Sequence, residues 1–185
     1  MRLFIFTMLL SFNLFAQEGL KVGQDSPVKE LTTVSEESVD LSKGQNILVF
    51  YRGSWCPYCM TQLKSIQTEL ISKLPKGTKL IGISVDKPMI AKKMKRNHKI
   101  TFPIVSNPSA DLLSKFKITN KISDELVAKY KNSYKIDIEN DSGETHHMIA
   151  HPAVYIIKDG KIIFADIHID YKQRTPNDEI LKAIK

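Results

Sequence analysis

Apolar and polar positions alternate with different periods along the chain, and each change of period marks an element. Ile47-Leu48-Val49-Phe50-Tyr51 is an unbroken β-branched and aromatic run, which predicts a central strand buried on both faces. After a tight loop, Leu63, Ile66, Leu70, Ile71 and Leu74 recur at helical spacing until Pro75-Lys76-Gly77 stops the pattern. Residues 80–85 predict a second buried strand, with Asp86 and Pro88 opening another helix. Phe102-Pro103-Ile104-Val105 predicts a short strand, and Asn107-Pro108 supplies a cap and first-turn proline for a helix through Phe116. Ser123-Asp124-Glu125 opens a helix to about Tyr134, and residues 138–145, polar and turn-rich, are expected to be loop. Near the end, Ala153-Val154-Tyr155-Ile156-Ile157, a Lys158-Asp159-Gly160-Lys161 turn and Ile162-Ile163-Phe164-Ala165 predict a β-hairpin, and Thr175-Pro176 is expected to cap a terminal helix.

A parallel β-α-β unit followed by an antiparallel hairpin and a helix predicts an α/β fold: a thioredoxin-like central mixed sheet flanked by helices, in a single domain. A chain of 185 residues with 42% apolar side chains supports one ordinary core. Residues 22–27 and the polar 32–40 stretch are expected to lead into the first strand through a turn at Lys43-Gly44, and residues 119–145 to form an insertion near the active-site face.

The N-terminus differs in kind. Met1-Arg2 precedes an apolar run over residues 3–15, and the small Ala16 is followed by polar Gln17-Glu18, which is the pattern of a secretory signal peptide over residues 1–16. The run is shorter than the roughly 20 residues that span a bilayer, so export to the periplasm is expected, with a membrane role only if the signal stays uncleaved. The formal charge of +7 adds little. Its densest stretch, Lys92, Lys93, Lys95, Arg96 and Lys99, lacks interleaved aromatics and reads as a solvated helix face, not a nucleic-acid surface.

The two cysteines, Cys56 and Cys59, lie three positions apart, so they do not staple a scaffold. A thiol with an ordinary pKa of ~8.5 is a poor nucleophile near neutrality. Here Cys56 falls at a helix cap with Pro57 at the first helical position, where free N–H groups and the positive end of the helix dipole favour a thiolate. Cys59 falls one turn on, within disulfide reach. A zinc site would need two further ligands; the candidates His146, His147 and His151 read better as polar loop residues, and no metal or cofactor is expected. His151-Pro152 stands at the mouth of the hairpin strand, where X-Pro bonds can be cis and where thioredoxin folds place a proline facing the cysteine pair.

Phe50-Tyr51-Arg52-Gly53-Ser54-Trp55-Cys56-Pro57-Tyr58-Cys59, the Val22-Gly23-Gln24-Asp25-Ser26-Pro27 stretch, Phe102 to Ser106, and His151-Pro152-Ala153 through Asp170-Tyr171 and Arg174 resemble the peroxiredoxin-like branch of the alkyl hydroperoxide reductase and thiol-specific antioxidant group. The resemblance covers residues 20–185 and implies Cys56 and Cys59 as the catalytic pair, with Arg52, Trp55, Pro57, Pro152 and Arg174 as active-site support. Peroxiredoxins carry Pro-x-x-x-Thr-x-x-Cys; by spacing, Arg52 stands at that proline, Cys56 at the threonine and Cys59 at the attacking cysteine. Read as thioredoxin instead, Cys56 is the exposed attacker and Cys59 the resolver. The roles stay open between these two registers.

Three functions follow. The first is a thiol peroxidase that reduces hydroperoxides and is regenerated by a thioredoxin-like or membrane-borne dithiol reductant. The second is an exported protein thiol-disulfide oxidoreductase acting on protein disulfides. The third is a copper-binding chaperone using the cysteines with a histidine.

Overall fold

The computed structural model describes residues 19–184, so the expected signal segment lies outside the described residues. Among those described, no helix is long and apolar enough to cross a membrane.

The predicted apolar runs form one five-stranded mixed sheet. Strand β3 (Gln45–Phe50) lies at its centre, parallel to β4 (Lys79–Ser84), which is parallel in turn to β5 (Ile104–Ser106). On its other edge β3 pairs antiparallel with β8 (Ala153–Lys158), and β8 with β9 (Lys161–Ile167). Every residue of β3 after Gln45 is buried. Leu48 and Phe50 enter one core, Ile47 and Val49 the other.

Helices α1 (Pro57–Ser65), α2 (Pro88–Asn97) and α6 (Asn177–Ala183) supply the second core through Leu63, Met94 and Ile180. The first core receives Phe116, after the short helix α3 (Asp111–Lys115), together with Val127 of α4 (Asp124–Tyr134) and Ile138 of α5 (Ile138–Ser142). At its centre Phe116 stacks between Phe50, at 4.9 Å, and Tyr155, at 5.0 Å between ring centroids. The helical run after Pro57 continues through a π turn (Ile66–Leu70) and a 3-10 turn (Ile71–Lys73), then stops where Pro75 forces Leu74 into an extended conformation.

Four expectations need correction. Residues 138–145 are not all loop: the Asp137 carboxylate accepts the Asn140 N–H and Gly143 closes the turn at φ 80°, which makes α5. The helix predicted from Asn107-Pro108 starts later, because Ala110 is left-handed and the Asn107 side chain spans forward to accept the Leu112 N–H at 3.1 Å. Thr175 does not cap α6; Pro176 holds the cap position, and the Thr175 hydroxyl donates to Asp166 at 2.8 Å. The polar 32–40 and 119–145 stretches are not free of strands: each gives one strand to a small antiparallel pair with a neighbouring segment, β2 (Ser38–Asp40) with β1 (Glu30–Thr32) and β6 (Thr119–Lys121) with β7 (Met148–Ala150).

Candidate active site

The site hangs from the C-terminal end of β3. Gly53 accepts the Cys56 N–H at 3.1 Å, turning the chain back so that Cys56 takes the N-cap of α1 with extended backbone and Pro57 takes the first helical position, as the sequence predicts. The unpaired N–H end of α1 therefore faces the Cys56 sulfur. Asp86, just past β4, fixes the other side of the turn: its carboxylate accepts the Ser54 N–H at 2.8 Å and the Ser84 hydroxyl at 2.9 Å. Burial raises the Asp86 pKa to about 6.

The expectation of an exposed Cys56 is wrong. Both cysteines are free thiols with 0% exposure. The cause lies far along the chain: the segment after β9 folds over the helix start, and Arg174 Nη2 donates to Cys59 Sγ at 3.1 Å and to Cys56 Sγ at 3.7 Å. Its Nη1 donates to the carbonyls of Tyr171 (2.6 Å) and Gln173 (2.5 Å), so the guanidinium is clamped by its own loop. A groove of about 460 Å³ reaches Arg174 past Tyr58, Gln62 and Pro176.

The two thiols differ in acidity. The Cys59 side chain, acting as donor, is the largest influence lowering the Cys56 pKa; it outweighs burial and, with the Cys59 backbone amide and the charges of Arg52 and Arg174, brings Cys56 to about 6. The cap makes no side-chain hydrogen bond of normal geometry. Burial pushes Cys59 up, the Cys56 sulfur adds to this, and Arg174 opposes it. The balance therefore favours the thiolate on Cys56, chiefly because the Cys59 thiol donates to it, despite the shorter Arg174 contact to Cys59.

Arg52 is only 5% exposed. Its Nη2 donates to the Tyr130 hydroxyl at 2.7 Å, and its Cζ lies 4.5 Å from the Tyr171 ring centroid and 4.9 Å from that of Trp55. Among the described residues neither Arg52 nor Arg174 pairs with a carboxylate. Trp55 also meets the Tyr130 ring, at 5.5 Å. Tyr130 and Asp86 carry no motif signal in the sequence; Tyr130 looks like any aromatic on a polar helix.

Pro152 is buried one residue beyond the Phe50 and Ala153 pair, at the same end of the sheet as the Arg52–Cys56 turn. Its peptide bond is trans, as all described ones are. Its carbonyl accepts the His168 N–H at 2.8 Å, which anchors the start of the segment that carries Arg174. The histidines have other work. His146 Nε2 contacts the Pro108 carbonyl at 2.7 Å, and His147 bridges Asp124 (2.9 Å) and Glu139 (2.8 Å). Among the described residues no three His, Cys, Asp or Glu side chains gather as a metal site.

The model of the AhpC/TSA family matches residues 22–165. Peroxiredoxin Bcp of Escherichia coli K12 is 24% identical over 169 residues, spanning 90% of this chain and 96% of its own. The thiol-disulfide oxidoreductase ResA of Bacillus thuringiensis is 19% identical over 116 residues, 61% of this chain and 67% of its own. Among solved structures, a cysteine-to-serine mutant of PrxQ from Xylella fastidiosa superposes with a TM-score of 0.66 at 16% identity, over 90% of this chain and 96% of that one.

Proposed function

Because the chain belongs to the AhpC/TSA family, we propose that it is a thiol oxidoreductase acting as a peroxidase on small hydroperoxides through Cys56 and Cys59. The observation that carries this reading is the Arg174 guanidinium set against both sulfurs where neither sulfur reaches the surface. A peroxide oxygen fits the fixed donors of an arginine beside a thiolate. A small peroxide needs less room beside the sulfurs than a protein disulfide does, whereas disulfide exchange with another protein, including the regeneration step, needs the Arg174 segment to open.

The Cys56 thiolate attacks the distal peroxide oxygen; the O–O bond breaks, the sulfur keeps the hydroxyl as a sulfenic acid, and the alkoxide leaves as alcohol after taking a proton. Cys59 then attacks the Cys56 sulfur, forming the disulfide and releasing water. An exported or membrane-borne dithiol protein returns the two electrons and two protons and departs as its own disulfide.

Stopped-flow oxidation of the reduced protein by hydrogen peroxide and an organic hydroperoxide tests this reading, with Cys56→Ser and Cys59→Ser beside the wild type. Rates orders of magnitude above a free thiol, lost in Cys56→Ser, support it; a rate no better than a free thiol removes it. The N-cap position of Cys56 and its pKa of about 6, with the likeness to ResA, favour a second reading, exchange with protein disulfides. That reading requires the Arg174 segment to move aside, and accelerated insulin reduction dependent on Cys56 supports it.

A further inference from the structure

Residues 119–145 stand outside the strand and helix alternation that builds the sheet, yet α4 sends one side chain to Arg52 and Trp55, beside the redox pair. The Tyr130 hydroxyl accepts from Arg52 Nη2 at 2.7 Å, its ring centroid lies 6.0 Å from Arg52 Cζ, and the same ring packs on Trp55, the neighbour of Cys56.

Arg52 depends on this contact. A cation at 5% exposure has lost most of its water, and a buried charge is costly unless other groups replace that hydration. No carboxylate among the described residues pairs with it, and its buried Nε has no partner. The faces of Trp55 and Tyr171 and the oxygen of Tyr130 take the place of water. Arg52 lies in the short turn between the end of β3 and the Cys56 cap of α1, and its charge is among the influences that favour the Cys56 thiolate.

We propose that Tyr130 is a positioning residue of the redox site: its hydroxyl and ring hold the Arg52 guanidinium against the Cys56–Cys59 pair, which makes the 119–145 segment a working part of that site. Without the hydroxyl, Arg52 turns toward solvent and the thiolate loses part of its counter-charge. The inference rests on the redox role of the pair, although its main readout does not require peroxidase activity.

The test is thiolate absorbance and iodoacetamide alkylation of the reduced protein against pH, for wild type, Tyr130→Phe, Arg52→Gln and the double variant, with Tyr134→Phe as control. Tyr134 is exposed, and among the described residues its ring pairs with that of Tyr130, at 6.2 Å. Tyr130→Phe is expected to raise the midpoint of thiolate formation and slow alkylation below it about threefold, a shift of roughly half a pH unit. In the Arg52→Gln background the same change is expected to do nothing further, and Tyr134→Phe should match wild type. A Tyr130→Phe profile identical to wild type, or an equal shift with and without Arg52, overturns the proposal. If the shift appears but no variant reacts fast with peroxide, the positioning role stands and the peroxidase reading fails.

Discussion

Arg174 Nη2 lies 3.1 Å from Cys59 and 3.7 Å from Cys56, yet it is the more distant sulfur whose pKa is lowered. One guanidinium thus touches both sulfurs, and in the proposed reaction it would support the Cys56 thiolate first and Cys59 when that thiol loses its proton. Arg174→Gln is expected to raise the thiolate midpoint and slow peroxide oxidation by about tenfold or more, since a charge-assisted hydrogen bond contributes ~1.5–3 kcal/mol. Ultraviolet titration and stopped-flow kinetics of the variant check this; an unchanged midpoint refutes it.

The acidity of Cys56 sets the pH profile. Its folded pKa of about 6 is below the ordinary thiol value, so the thiolate and the stability it lends are present at alkaline pH and lost as pH falls through about 6. Oxidation rate is expected to climb through that pH and then level off. In Cys59→Ala the largest lowering influence is gone, and the midpoint of Cys56 alkylation should move upward. A profile centred near the ordinary thiol value in wild type contradicts the assignment.

Gly53 leaves room for Trp55. A Cβ on residue 53 would lie 2.9 Å from Trp55 Cδ1 and closer still to the ring nitrogen. Gly53→Ala must therefore push the indole off Arg52, at a cost of about 1–3 kcal/mol for overpacking. Reduced thermal stability together with slower Cys56 alkylation is the expected result, and wild-type values for both would show that the loop relaxes freely.

Asp86 gives stability the opposite pH dependence. Its folded pKa is raised from 3.8 to about 6 by burial, so its contribution is complete below the unfolded value and is lost as pH rises through about 6. Asp86→Asn keeps an oxygen to accept from Ser54 and removes the titration. The stability of the variant relative to wild type should grow across that window, by up to ~3 kcal/mol from two pKa units. Denaturant melts at several pH values measure it, and parallel curves would refute it.

Much of the fold was legible because burial writes itself into periodicity. The runs at residues 47–51, 80–85 and 153–157 became the three inner strands, and Pro57 marked the start of α1. Three-residue polar strands such as β6 are too short to show a period, and the caps of α5 use residues equally common in turns. At the site, the cysteines and both arginines were readable as residue types. The burial of Cys56 was not, because Arg174 stands 118 positions away in the chain. Tyr130 escaped for the same reason, at a separation of 78.

The position of β3 has a consequence for how the molecule comes apart. Its amides are hydrogen-bonded on both edges and its side chains are locked into two cores, so their exchange with deuterated solvent should require global unfolding. The cysteine turn is suspended from the segment expected to open last, while the arm bearing Arg174 is expected to open earlier. The sulfurs and Arg52 would then keep a fixed backbone frame while Arg174 is released by partial opening.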